Sequence, residues 1–140
     1  MMEYDLKRFI KAQETDYRTA LTEIKNGRKR SHWMWYIFPQ IAGLGSSPTS
    51  KYYSLKDLKE AKAYLDDETL GKRLMEISGA LLSLESNDAT QIFGTPDNMK
   101  LRSSMTLFSR VQDADRVFQK ALDKFFGGLP DKETIRLLGG

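Results

Sequence analysis

Arg28, Lys29, Arg30, Ser31, His32 and Trp33 place three cations, a hydroxyl, the only histidine and an indole in six consecutive positions. Cationic side chains attract phosphate or carboxylate, and an arginine fork holds either one bidentately. With Ser31 as the N-cap of a following helix, the stretch would also aim free backbone N–H groups at an anion. Trp33, or its near neighbour Trp35, would roof such a pocket and stack on a base or another flat group. Gln40, at the end of the apolar run Trp33 to Phe38, belongs to the same candidate pocket. His32 alone has an ordinary titration near neutrality, so an acid–base step at neutral pH would fall to it first. The structural alternative is that the basic residues end one helix and the aromatics enter the core.

A second constellation lies later in the chain. Lys100, Ser103 and Ser104 fall at i, i+3 and i+4 of one helix face, with Arg102 beside them. Lys100, Arg102 and Ser103 would complete a phosphate or ribose site with the first motif. The alternative is a solvated face whose serines border a tight helix contact. Asp97 and Asn98 read as first-turn capping residues. A Ser-His-Asp arrangement using Ser103 or Ser104 can be drawn, but no nucleophile-elbow pattern supports it. Gly43-Leu44-Gly45-Ser46-Ser47 lacks the lysine of a phosphate-binding loop and a preceding strand, so it reads as a flexible connection.

The absence of cysteine excludes disulfides, thiolate nucleophiles and cysteine-ligated metals, and one histidine excludes multi-histidine metal sites. No metal or cofactor is expected. Without Arg28, Lys29 and Arg30 the 22 basic residues would fall to 19 and equal the 19 acidic ones. The excess charge is therefore local, whereas a general nucleic-acid binder spreads its basic residues over a face. The N-terminus lacks the pattern of a signal peptide, and the longest apolar run is too short to cross a bilayer. A cytoplasmic protein without membrane contact is the expectation.

The elements that would position these residues are helices throughout. Leu6 to Asn26 reads as a helix capped by Asp5 and stopped by Gly27, with its apolar phase slipping around Gln13 to Asp16. Ser31 to Pro39 reads as a short helix apolar nearly all round, hence buried on several sides. A buried strand is the alternative there, disfavoured because nothing else in the chain supplies partner strands. Ser47-Pro48 starts a turn of helix, Ser54 to Asp57 resembles a capping box, and Asp67 caps a helix to about Leu84. In that helix Gly79 would allow a close helix–helix approach. Asp88, Thr95-Pro96, Asp113 and Asp131 open four further helices. The expected fold is all-α: residues 1–140 as one compact, multihelical domain with a short buried aromatic central helix.

Arg28 to Gln40, Gly43-Leu44-Gly45, Phe93 to Asp97, Lys100 to Phe108 and Phe125 to Gly128 carry a family resemblance. Together they closely resemble the bacterial family catalogued as domain of unknown function 1810, over essentially the whole chain. The resemblance implies a mainly α-helical fold and brings no established activity. Some members carry the label calpastatin, which nothing in this sequence supports. The residues themselves favour a site for a small anionic, phosphorylated or nucleotide-like molecule, with metal-independent hydrolysis or transfer by His32 if the protein is an enzyme. The alternative is a nucleic-acid or protein-interaction module using Arg28 to Arg30.

Overall fold

The computed structural model describes residues 5–139, which form α-helices joined by turns, with no strand among the described residues. In chain order they are α1 (Lys7–Lys25), α2 (Met34–Ile37), α3 (Pro48–Tyr52), α4 (Leu58–Asp66) and α5 (Glu68–Leu82). There follow α6 (Ala89–Phe93), α7 (Asp97–Ser109), α8 (Val117–Phe126) and α9 (Lys132–Leu137). The all-α expectation holds.

Most helix starts close over two or three residues, as local capping requires. Asp67 Oδ1 accepts from Thr69 and Leu70 N–H, Asp88 Oδ1 from Thr90 and Gln91, and Asp131 Oδ2 from Thr134. Ser47 caps α3 through Ser50 N–H. Three starts differ here from the sequence expectation, and a fourth, at Ser31, is described with the site below. Ser54 does not open α4, because Leu55 is held extended: its N–H donates to Gln40 O and its carbonyl accepts from Ala42 N–H. This forms an isolated parallel bridge between Ile41 and Leu55. Asp57 caps α4 instead, accepting from Glu60 N–H at 2.8 Å, while Glu60 reaches back to Lys56 N–H at 2.8 Å. Asp113 adopts a left-handed backbone with φ 62°, so α8 begins later, where Asp115 accepts from Val117 N–H. Asp5 gives way to Leu6 at the N-cap position of α1.

The phase slip in α1 does not break that helix. Gln13 is buried at the slip, and its Nε2 donates to Tyr36 O at 2.7 Å and to the Tyr64 hydroxyl at 2.9 Å. A polar side chain occupies a core position there because its hydrogen bonds are made.

α7 sits in the middle, packed by α4, α6, α8 and α9, and α5 packs on α1, α4 and α8. Leu101 and every residue from Ser103 to Phe108 are buried, so the serines lie in a packed interior and not on a solvated face. The short aromatic helix is α2, which buries Met34 and Ile37. Phe9, Trp33, Phe38, Tyr64, Phe108 and Phe118 are fully enclosed. Full burial of one such apolar side chain contributes about 1.5–3 kcal/mol. Close helix approach occurs at Gly71, where a Cβ would stand 2.1 Å from Leu65 O. Gly79 has nothing within 4 Å and permits no such contact.

Candidate functional site

The turn after α1 does bind a carboxylate, but one from the chain itself. Glu23 Oε1 accepts from Arg30 N–H at 2.7 Å, Ser31 N–H at 3.0 Å and Trp33 Nε1 at 2.9 Å, and Oε2 accepts from Ser31 Oγ at 2.6 Å. Burial pushes the Glu23 carboxyl up, but these hydrogen bonds outweigh it and bring its pKa down to about 2. The N–H groups of Arg30 and Ser31 are thus already taken by Glu23. Ser31 is not the N-cap of α2. Its donors serve Glu23, and the helix starts at Met34 with Trp33 in the N-cap position.

Trp33 does not roof a pocket. It is fully buried against Phe38 and Phe93, with ring centroids 6.2 and 6.4 Å away. Arg28 and Arg30 are exposed, and their guanidinium groups make no hydrogen bond or ion pair among the described residues. Lys29 turns inward instead. Its N–H donates to Ile92 O at 2.7 Å, and its Nζ lies 2.8 Å from Asp97 Oδ2 and 5.2 Å from the Trp33 ring. His32 is exposed, and its carbonyl accepts from the Tyr36 hydroxyl at 3.2 Å.

Asp97 joins the two regions that the sequence singled out. Its Oδ1 lies 3.1 Å from Lys100 Nζ, so two lysines share one carboxylate. Burial opposes ionisation of Asp97, and the hydrogen bonds and charges of Lys29 and Lys100 win, holding its pKa below the usual carboxylate range. The Lys100 ammonium stands 3.8 Å from the centroid of Trp35. Asp97 is therefore more than a first-turn capping residue.

Lys100 and Trp35 border a cleft of about 210 Å³. Its floor is α7, with exposed Met99, half-buried Lys100 and the largely buried Ser103. One wall is the α2–α3 connection, with Gln40, Leu44 and Gly45, and the other is the start of α9, with Asp131 and Glu133. Gln40 is fixed by the carbonyl that receives Leu55 N–H at 2.9 Å, and its carboxamide has no partner among the described residues. Ser103 Oγ donates to Met99 O at 3.1 Å, leaving its lone pairs as acceptors. In the glycine-rich connection, which is mostly exposed, a Cβ on Gly45 would meet Ser50 Oγ at 2.6 Å.

Of the residues singled out from sequence, Gln40, Lys100 and Ser103 line this cleft. Arg28, Arg30, Ser31, His32, Trp33 and Arg102 do not. Arg102 Nε donates to Leu129 O at 3.0 Å and its guanidinium covers Phe126, so it fastens the α8–α9 turn. The cleft residues not assigned from sequence are Leu44, Gly45, Pro96, Met99, Asp131 and Glu133, while Trp35 appeared there only as an alternative to Trp33. Asp131 was legible as a cap, and nothing in local spacing places that cap in the same cleft as Lys100.

Fold and cleft define a small helical domain with one mixed aromatic and charged hollow beside its central helix. The family model described as protein of unknown function (DUF1810) matches residues 3–138, and the chain belongs to that family. It is similar to the conserved hypothetical protein Rv1873 from Mycobacterium tuberculosis, known from a crystal structure. The two share 47% identity over 98% of each chain, with a TM-score of 0.95. No curated protein matches the chain. Among the described residues no helix is long and apolar enough to cross a membrane.

Proposed function

We propose that the protein binds a small molecule carrying an anionic group, of phosphorylated or nucleotide-like kind, in the cleft between Trp35, Gln40, Lys100 and Ser103. The observation that carries this reading is the Lys100 ammonium, 3.8 Å over Trp35 at the cleft edge. Lys29 and Lys100 share only Asp97, so that corner keeps one positive charge in excess. Gln40 and Ser103 offer polar groups that no protein partner saturates. His32 lies outside the cleft and receives no catalytic role in this reading.

Calorimetric titration with inorganic phosphate, ribose 5-phosphate and adenosine monophosphate tests it. Lys100→Met keeps the aliphatic stem over Trp35 and removes the charge. Affinity is expected to fall about tenfold or more, since a charge-assisted hydrogen bond contributes about 1.5–3 kcal/mol. Absence of binding by all three, or unchanged affinity in Lys100→Met, would sink the proposal.

A second reading rests on the exposed, unpaired guanidinium groups of Arg28 and Arg30. In it they contact a polyanionic surface such as nucleic acid, and affinity for a random oligonucleotide falls steeply with salt. An affinity that ignores salt would count against it.

A further inference from the structure

Resting on the reading of this cleft as a ligand site, we infer that it recognises its ligand at two ends. Lys100 takes an anionic group, and Asp131 takes the hydroxyl groups of a sugar, so the ligand class is a sugar phosphate or nucleotide and not a bare anion.

Asp131 is held firmly in the wall that α9 contributes. Its N–H donates to Thr106 Oγ1 at 2.9 Å, and Thr106 in turn donates to Arg102 O at 2.8 Å, which ties the start of α9 to α7. Its Oδ2 accepts from Thr134 N–H at 2.9 Å and from Thr134 Oγ1 at 2.6 Å. Its Oδ1 accepts nothing among the described residues, although Asp131 borders the cleft and is only half-buried. Glu133, the other carboxylate of that wall, accepts from Arg136 through Oε1 alone and is tied to nothing else among the described residues. Asp131 is the carboxylate held in place there, through its N–H and Oδ2, with Oδ1 left to accept. An anion there would be repelled, and an O–H donor would be held by a charge-assisted hydrogen bond.

The anchor points of the two ends are offset along α7. Thr106, which anchors Asp131, follows Lys100 by six residues, a rise of roughly 9 Å along the helix axis at 1.5 Å per residue. A single phosphate satisfies Lys100 alone, because the Asp131 carboxylate repels it. The same cleft is lined by the Ser103 hydroxyl and the thioether of Met99, which is 44% exposed. That polar and apolar mixture suits a sugar ring, which presents hydroxyl edges and C–H faces.

The test compares inorganic phosphate, ribose 5-phosphate and 2-deoxyribose 5-phosphate by calorimetry on wild type and Asp131→Asn. Asparagine is also a good N-cap, so α9 keeps its start. Its carbonyl oxygen must then face Thr134 N–H, which turns the NH₂ group toward the cleft and replaces the acceptor by a donor. Ribose 5-phosphate is expected to bind wild type about tenfold more tightly than inorganic phosphate, with the 2-deoxy sugar between them. In Asp131→Asn that advantage should vanish, while inorganic phosphate binds equally well or better. Equal affinity of wild type for all three, with dependence on Lys100 retained, would overturn the two-ended reading and leave the anion site standing. Binding by none of them would remove both. The wild-type comparison decides even if the variant folds poorly.

Discussion

Glu23 shows how much a single residue can hold. Four donors from the turn after α1 converge on its carboxylate, including the indole of fully buried Trp33. Glu23→Ala leaves buried donors without an acceptor, and urea denaturation should report a loss of about 3 kcal/mol. The same carboxylate carries a pH dependence. Its folded pKa of about 2 lies below the ordinary 4.5, so the unfolded chain takes up its proton first as pH falls. The stabilisation is therefore complete above 4.5 and is lost as pH drops from there toward 2. Denaturation midpoints measured across that window should fall in wild type and fall less in Glu23→Gln, which has no carboxyl to protonate. At this scale the sequence was half legible. Arg30 and Ser31 do present N–H groups to an anion, as their types suggest. The anion comes from seven and eight residues earlier, where a chain reversal after the last turn of α1 delivers it.

Among the elements, α5 makes opposite demands at its two internal glycines. Gly71 abuts the carbonyl of Leu65, at the end of α4, and an added Cβ would stand 2.1 Å from that oxygen. Backbone cannot yield there cheaply, so Gly71→Ala should force the two helices apart and cost about 1–3 kcal/mol. Gly79 is helical and open, and Gly79→Ala should stabilise by about 0.5–1 kcal/mol through helix propensity. Thermal melts of the two variants should move in opposite directions. Both glycines look alike from sequence, as interruptions of an otherwise regular apolar stripe. Space around them is a property of packing between helices, and the expectation of close approach fell on the wrong one. Helix starts were far more legible, because Asp67, Asp88 and Asp131 cap within three residues. Ser54 failed as a start for a non-local reason: Leu55 is claimed by the backbone at Gln40 and Ala42.

For the molecule as a whole, the helices share one core. Phe108 on α7 packs against Tyr64 of α4 at 5.4 Å and Phe118 of α8 at 5.6 Å, so it ties three elements together. Phe108→Ala should cost about 3–5 kcal/mol through lost burial and the cavity left behind. Because the core is continuous, helix content and tryptophan fluorescence should lose their signals in one coincident transition, in wild type and variant alike. Separate midpoints for circular dichroism and fluorescence would show that the helices around Trp33 unfold independently. The cleft belongs to this scale too. Its floor, two walls and charged corner come from four parts of the chain, and a change in how α9 seats on α7 would move Asp131 relative to Lys100.

Sequence alone determined the all-helical class, the approximate helix spans, the caps at Ser47, Asp67, Asp88 and Asp131, and the apolar faces. Each of these depends on residues a turn or less apart, so spacing and residue type encode them directly. Tertiary structure decided which charges meet. It turned Lys29 inward and left Arg28 and Arg30 outside, buried Trp33 and left Trp35 beside the cleft, and brought Asp131 to the same cleft as Lys100. Those choices depend on the direction in which each helix leaves its turn, and that direction is set by how the buried side chains of α1, α5, α7 and α8 fit together.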